Sequence, residues 1–113
     1  MNSMRNTIFL IGHLGRDPEH ITLKNGQKLT KFSLATNDYS KDDSGEKVQE
    51  TQWHNCIGWG KTAENMQSLL KKGREIAVTG KLTYQNYEDK EGVKRTQPQV
   101  VVNDFVLLGK KSE

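Results

Sequence analysis

The sequence predicts an all-β domain built as a barrel of five strands with a single helix. Segments rich in β-branched and large apolar residues recur along the chain, and polar turn segments separate them. Only one stretch spaces its apolar residues as a helix does. A length of 113 residues corresponds to one domain, which we expect to cover residues 1–109, with 110–113 as a short disordered tail.

The first half of the chain supplies two strands and a hairpin. Thr7 to Leu14 is predicted as the first strand, and apolar residues occupy both of its faces. Such a strand is buried on both sides or lies at a contact between subunits. After a break, the chain resumes an extended form at His20 to Lys24. Asn25-Gly26 is a strong hairpin signal, and Lys28 to Thr36 follows as the next strand.

The middle of the chain contains an acidic segment, a strand and the helix. The segment Asn37 to Glu50 holds five acidic and two basic residues and is predicted as a loop. Gln52 to Trp59 is predicted as the third strand. Lys61 to Lys72 is predicted as the helix, with Thr62 as its N-cap and Gly73 at the C′ position.

The last third of the chain completes the predicted barrel. Arg74 to Leu82 alternates apolar and polar residues, and Glu88 to Gly92 forms a polar turn. Val93 to Leu108 is the last strand, in which Pro98 indicates an edge or a bulge. This order, with one helix between strands 3 and 4, suits a five-stranded Greek-key barrel of the OB type with extended β-hairpins. A β-sandwich is the alternative, but it would not need the helix.

Charge and cysteine content restrict the class of protein. The formal net charge is +3, and the acidic segment concentrates negative charge, so the rest of the chain is more basic than this total. A basic body fits a polyanion binder, although a protein with ordinary surface lysines would look similar. Cys56 is the only cysteine, which rules out a disulfide framework and favours a reducing compartment. With no signal or membrane segment in the sequence, we expect a cytoplasmic protein without membrane partners.

Four large aromatic residues stand among polar neighbours rather than in apolar runs: Tyr39, Trp53, Trp59 and Tyr87. Flat rings on a basic, polar surface suit stacking of unpaired bases, which contributes roughly 1–3 kcal/mol per base. Single-stranded nucleic acid is therefore the first partner to consider.

The two tryptophans have a spacing that places them on one face. They are six residues apart on one strand, so they lie about 20 Å apart on the same side, at about 3.3 Å per residue. Asn55 and Ile57 lie between them. The alternative is that Trp53 and Trp59 close one end of the core. Tyr84 has the opposite parity to Tyr87 and is predicted to pack rather than to stack.

No pattern of catalytic or metal-binding residues emerges from the sequence. Gly60-Lys61-Thr62 resembles the end of a phosphate-binding loop, but that motif needs a glycine where Asn55 stands. The three histidines have no metal-ligand spacing with one another or with Cys56. We therefore expect no enzyme activity, no catalytic residue, no metal and no cofactor. Lys61 is read as a phosphate contact or a solvated charge.

Several separated sequence blocks resemble the bacterial-type single-stranded DNA-binding proteins. The resemblance runs from about Met4 to Gly109. The blocks are Ile11-Gly12-His13-Leu14-Gly15-Arg16-Asp17-Pro18-Glu19, Phe32-Ser33-Leu34-Ala35-Thr36, Trp53-His54 with Gly60-Lys61 and Ala63-Glu64, and Leu70-Lys71-Lys72-Gly73.

This resemblance implies an OB fold, a homotetramer built as a dimer of dimers, and sequence-tolerant wrapping of single-stranded DNA. It places the stacking aromatics of the family on Tyr39, Trp53, Trp59 and Tyr87. It implies a subunit interface formed by the first strand, for which Ile8 and Leu10 are the candidates, and by His54. The nucleic-acid contacts expected besides the rings are Lys61 and Lys72 from the resemblance, with Arg74, Lys31 and Asn55 added.

The chain departs from the family pattern in three places. Basic residues are common before the last stacking aromatic, but here that stretch is Thr83 to Asn86, and Asn55 stands at a usually basic position. Both indicate fewer phosphate contacts and a smaller dependence on salt. The sequence also stops at Lys110 to Glu113, before the acidic tail of the family, and is interpreted either as a DNA-binding core without its tail or as a naturally tailless relative. Recruitment of repair and replication enzymes is therefore not carried over.

The sequence thus predicts sequence-independent binding and protection of single-stranded DNA in replication, recombination and repair. The location expected for it is the cytoplasm, associated with the nucleoid. The alternative is a tailless OB-fold adaptor or RNA-binding module of the primosome type.

Overall fold

The computed structural model describes residues 3–109, and the predicted tail at 110–113 lies outside them. After a short 3-10 turn, the chain forms six strands and one α-helix in these residues. They are β1 (Ile8–Leu14), β2 (Glu19–Thr22), β3 (Lys28–Lys41), β4 (Lys47–Trp59), α1 (Gly60–Leu69), β5 (Glu75–Glu88) and β6 (Lys94–Leu107).

Five of the strands close into a barrel. Their order is β1-β5-β6-β4-β3, and β1 returns to pair with β3 through His13↔Ala35 and Leu14↔Leu34. The pair β4–β6 is parallel and the other pairs are antiparallel. The short β2 pairs only with β3, outside the ring. The helix lies between the third and fourth barrel strands, which confirms the predicted OB-type barrel.

The barrel core is apolar, and the helix closes one end of it. Leu34, Ile76 and Val78 are fully buried on the strands, and Ala63 and Met66 are the buried residues of α1. Gly58 makes room for the helix, because a Cβ there would lie 2.6 Å from the Met66 sulfur. The seat of the helix at this end of the barrel therefore depends on a residue without a side chain.

The helix begins and ends earlier than the sequence predicts. Trp59 is the N-cap and makes no side-chain capping hydrogen bond, so the prediction of Thr62 as N-cap is wrong. The helix ends at Leu69 because Leu70 turns inward to the core in extended conformation. Gly73 has a φ of +83° but lies in the following turn, where its N–H donates to the Leu14 carbonyl.

The predicted acidic loop is largely a β-hairpin, which is a second correction. β3 continues to Lys41, β4 begins at Lys47, and the two strands pair without a break from Leu29↔Trp59 to Lys41↔Lys47. The charged composition suggested a loop because it can bury no apolar face. The backbone ladder continues from the barrel instead, and the charges lie on an exposed arm.

The first strand uses its two apolar faces differently. Ile8 and Leu10 are partly buried and pack against the core, whereas Phe9 and Ile11 are exposed. Within residues 3–109, β1 pairs with β3 only at His13 and Leu14, so one edge of its first half has no partner strand. The apolar side chains that β1 exposes are thus Phe9 and Ile11, and the interface role of Ile8 and Leu10 stays a prediction.

Candidate nucleic-acid interface

Three of the four aromatics lie on one face of the β3–β4 sheet. The register pairs Leu29 with Trp59, Ala35 with Trp53 and Tyr39 with Gln49. Side chains of directly opposed residues point to the same side, and so do residues two apart along a strand. Tyr39, Trp53 and Trp59 therefore share a face.

The same face continues across the parallel contact to the other long hairpin. Ile57 of β4 pairs with Val101 of β6, which pairs with Lys81 of β5. Tyr87 is six residues beyond Lys81 and pairs with Arg95, so it has the parity of Ile57 and of both tryptophans. We call the surface defined by Tyr39, Trp53, Trp59 and Tyr87 the aromatic face.

The rings of the aromatic face are accessible. Relative exposure is 60% for Trp53, 59% for Tyr39, 46% for Tyr87 and 39% for Trp59. These values exclude the alternative that the tryptophans fill one end of the core. Tyr84 pairs with Pro98 on the opposite face, as its parity predicts, but it is 62% exposed rather than packed.

Trp53 lies against a glycine that the sequence does not single out as a site residue. A Cβ at Gly15 would lie 2.4 Å from the Cζ3 atom of the Trp53 ring. The indole thus occupies the space that any side chain at this position would fill. Gly15 belongs to one of the blocks that carry the family resemblance, but nothing in the spacing of residues predicts its contact with Trp53.

Tyr39 also has a neighbour that the sequence does not identify as functional. The Lys47 ammonium lies 4.5 Å from the centroid of the Tyr39 ring, a cation–π arrangement. The hairpin register explains the contact, because Tyr39 pairs with Gln49, two residues beyond Lys47. Prediction of a loop here hid this register and therefore the contact.

The predicted basic contacts lie in two places, one on the aromatic face and one in α1 and the turn that follows it. Lys31 pairs with Ile57 and is exposed on the aromatic face, next to Asn55. Lys61 is exposed in the first turn of α1, and Lys72 is exposed in the turn after it. Arg74, at the end of that turn, is half-buried, and its backbone carbonyl accepts a hydrogen bond from Leu14.

A shallow cavity of about 480 Å³ is lined by the predicted contacts Lys31 and Asn55 and by residues that were not predicted as contacts. Lys31 and Asn55 line it with Arg16 from the β1–β2 connection and with Gln97 and Gln99 from β6. Asp17 also lines this cavity, and its carboxylate accepts a hydrogen bond of 2.8 Å from the Lys72 backbone N–H. This hydrogen bond holds the turn after α1 next to the cavity. In the sequence, Gln97 and Gln99 are two residues apart, and this spacing indicates only that both lie on the same face of a strand.

His54 and Cys56 lie on the other side of β4 from the tryptophans. The His54 ring is half-buried, and its Nε2 lies 2.9 Å from the Thr36 hydroxyl. Burial raises the pKa of the Cys56 thiol to about 12, so the thiol stays neutral at physiological pH. Among residues 3–109, no three acidic, histidine or cysteine side chains come close enough to hold a metal ion. In the same range, no helix is both long and apolar enough to cross a membrane.

Comparison with known proteins identifies relatives of the whole domain. The model of the single-strand binding protein family matches residues 5–108. Single-stranded DNA-binding protein 1 of Chlorobaculum tepidum is 40% identical over 94% of this chain and 66% of its own length. A single-stranded DNA-binding protein of Neisseria meningitidis is 38% identical over 96% of this chain and 62% of its own length. The chain thus spans less than two thirds of these relatives.

Solved structures agree with the sequence comparison. A Plasmodium falciparum SSB in complex with ssDNA superposes with a TM-score of 0.83 at 27% identity, covering 92% of this chain and 95% of that one. A deletion mutant of the Thermus aquaticus single-stranded DNA binding protein superposes with a TM-score of 0.79 at 32% identity, covering 92% of this chain and 50% of that one. By the match over residues 5–108 and these relatives, the chain belongs to the single-strand binding protein family.

Proposed function

We propose that this chain binds and protects single-stranded DNA without sequence requirement during replication, recombination and repair, and that it does so without catalysis. The observation that carries the proposal is the set of four accessible rings on one face of the barrel and its hairpins. The names of the relatives, which are single-stranded DNA-binding proteins, and a superposable complex with ssDNA support it.

Stacking supplies sequence-tolerant affinity because every base has a flat face. Trp53 and Trp59 receive bases along β4, and Tyr39 and Tyr87 extend the path onto the two arms. Each stacked base contributes roughly 1–3 kcal/mol. Lysine and arginine side chains that neutralise phosphates release counterions, which adds a salt-dependent part. The residues we assign to this part are Lys31, Lys61, Lys72 and Arg74.

We assign the subunit interface of a homotetramer, built as a dimer of dimers, to the open edge of β1. Phe9 and Ile11 expose an apolar surface there, and Ile8 and Leu10 support it from the core side. Pairing of two such edges would cover unpaired backbone groups, which an exposed edge strand otherwise leaves available. His54 remains a predicted interface residue. A cytoplasmic, nucleoid-associated location fits this role.

The decisive experiment compares Trp53→Ala with Tyr84→Ala in titrations with poly(dT) followed by tryptophan fluorescence. The two side chains are equally exposed but lie on opposite faces, so they differ in position rather than in accessibility. We expect Trp53→Ala to weaken binding by about 1–3 kcal/mol and Tyr84→Ala to leave it nearly unchanged.

Three controls define failure of the proposal. Circular dichroism of both variants checks that the barrel is intact. Wild-type protein that shows no quenching with poly(dT), or binds duplex DNA equally well, would contradict the proposal. A tighter complex with poly(U) than with poly(dT) would indicate an RNA-binding module instead.

A further inference from the structure

Four side-chain amides lie together on the aromatic face, between the tryptophans of β4 and Tyr87 of β5. Gln85 pairs directly with Gln97 across the β5–β6 hairpin, and Gln99 lies two residues further along β6. Asn55 of β4 shares the cavity with Gln97 and Gln99. All four have the parity of the aromatic face. We call Asn55, Gln85, Gln97 and Gln99 the amide cluster.

The hydrogen-bonding groups of the amide cluster are not used by the protein itself. Among residues 3–109, none of the four side chains forms a hydrogen bond with another protein group. The Thr83 hydroxyl donates to the backbone carbonyl of Gln99 at 3.1 Å and leaves its side-chain amide uninvolved. The cluster therefore offers up to four free amides to a ligand or to water.

An amide is poorly suited to neutralise phosphate but well suited to bind the edge of a base. It presents a donor and an acceptor side by side, and Asn and Gln pair in this way with base edges. Unpaired bases offer these edges when they are splayed out and stacked on aromatic side chains. Since neighbouring strands lie only about 4.8 Å apart, a base on a β4 tryptophan comes within reach of amides on β6.

Cationic side chains lie on the same surface as the amide cluster. Arg16 and Lys31 line the cavity described above with Asn55, Gln97 and Gln99, and the acidic Asp17 and Glu19 also line it. Lys31 and Lys81 line a second cavity with Gln85 and Gln99. Phosphates can therefore be met by these cations while the amides face the bases. Rings, amides and cations thus share one continuous face, which distinguishes this surface from an ordinary hydrated polar surface.

We propose that the amide cluster hydrogen-bonds the edges of stacked bases, so that this chain distinguishes hydrogen-bonding bases from bases of equal shape. The proposal rests on the proposed function and adds to it. Binding remains tolerant of sequence, because each natural base has neighbouring donors and acceptors. What the cluster rejects is a base without them.

The test compares oligo(dT) with an oligomer of the same length whose thymines are replaced by 2,4-difluorotoluene nucleotides. This analogue has the shape of thymine and stacks, but it is a very poor hydrogen-bonding partner. We expect wild-type protein to bind the analogue about threefold to tenfold more weakly, the ordinary net effect of one neutral hydrogen bond. The double variant Gln97→Met/Gln99→Met should bring this ratio close to one, since methionine keeps the length of the side chain.

Gln67→Met is the matched control, because Gln67 is an exposed glutamine on α1 and lines neither cavity that holds the amides. It should keep the wild-type ratio. A ratio of one for wild-type protein, or the same ratio in the double variant, overturns the amide proposal while both oligomers still quench tryptophan fluorescence. Absence of quenching by either oligomer overturns the proposed function instead. A wild-type ratio of one overturns the amide proposal even if the double variant does not fold.

Discussion

The two long hairpins of this protein end in the same type of turn but differ in charge. The first arm is the outer part of the β3–β4 hairpin, residues 37–50, and the second arm is the outer part of the β5–β6 hairpin, residues 84–97. Both turns have an aspartate, two intervening residues and a glycine with positive φ, as in Asp42 with Gly45 (+85°) and Asp89 with Gly92 (+81°). Each arm thus ends in the same local solution to reversing the chain.

The hydrogen bonds of the two turns match almost atom for atom. The Asp42 carboxylate accepts from the backbone N–H groups of Ser44 and Glu46 at 3.0 and 2.9 Å. The Asp89 carboxylate accepts from those of Glu91 and Val93 at 2.9 and 3.0 Å. Aspartate is suited to this position because its short side chain reaches the backbone two residues on.

The charges on the arms separate their roles. The first arm carries five acidic and two basic residues, whereas the second carries three of each. In the first arm, Lys47 lies over the Tyr39 ring. In the second arm, Arg95 is held by Asp89 at 2.6 Å, and no lysine covers the Tyr87 ring in the described structure. The same turn chemistry thus ends both arms, and we expect their difference in charge to decide how readily each ring meets a polyanion.

The largest difference should appear when the two tyrosines are removed in turn. We expect Tyr87→Ala to weaken binding of oligo(dT) toward the upper end of about 1–3 kcal/mol, and Tyr39→Ala toward the lower end. The acidic first arm repels phosphates, whereas the second arm has equal numbers of acidic and basic residues. Fluorescence titration at low salt measures both losses. Equal losses, or a larger loss for Tyr39→Ala, would remove the electrostatic distinction between the arms.

A smaller effect should follow from removal of the cation over Tyr39. Lys47→Met deletes a contact of about 0.5–1 kcal/mol at an exposed site. It also makes the first arm more acidic, so we expect oligo(dT) binding to weaken by about twofold to fivefold at low salt. Lys94→Met is the control, since Lys94 follows the second turn as Lys47 follows the first. A larger loss for Lys94→Met would contradict the role given to Lys47.

The smallest effect concerns pH. Hydrogen bonds from the Ser44 hydroxyl and from the Glu46 backbone lower the pKa of Asp42, and those from Arg95 and the Val93 backbone lower the pKa of Asp89. Both turns therefore gain stability above the ordinary carboxyl pKa of 3.8 and lose it as the pH falls through the lowered values. We expect the amide NMR signals of both turns to report this loss.

Salt should separate the two turns in the same titration. Arg95 is a charged partner, so added salt at about 0.5 M should bring the pKa of Asp89 back toward its ordinary value. The main hydrogen-bond partner of Asp42 is the neutral Ser44 hydroxyl, so the pKa of Asp42 should respond less to salt. Equal responses of the two carboxylates would show that the Arg95–Asp89 ion pair is not what distinguishes the second turn.

The sequence predicts those features that depend on local periodicity. Alternation along β4 places Trp53 and Trp59 on one side, and opposite parity separates Tyr84 from Tyr87, as the register confirms. The order of strands and the single helix were likewise accessible, because each buries an apolar face with its own period. These features need no knowledge of which strands become neighbours.

Features that depend on pairing between distant segments were not predictable in this way. The extent of the first arm follows from a ladder that continues from the barrel, so its charged residues misled the prediction of a loop. The contact between Gly15 and Trp53 joins segments almost forty residues apart. The amide cluster appears only when β4 lies beside β6 in parallel, a pairing that no local pattern announces.

Both tryptophans of this chain are on the aromatic face, and this has an optical consequence. No indole is sealed in the core, so the intrinsic emission carries no signal from an interior probe. Unfolding would transfer these partly solvated rings to water with only a modest spectral change. A titration with DNA, in contrast, would alter every emitting indole in the molecule. Emission is therefore a reporter of occupancy, while integrity of the barrel has to be read from its backbone.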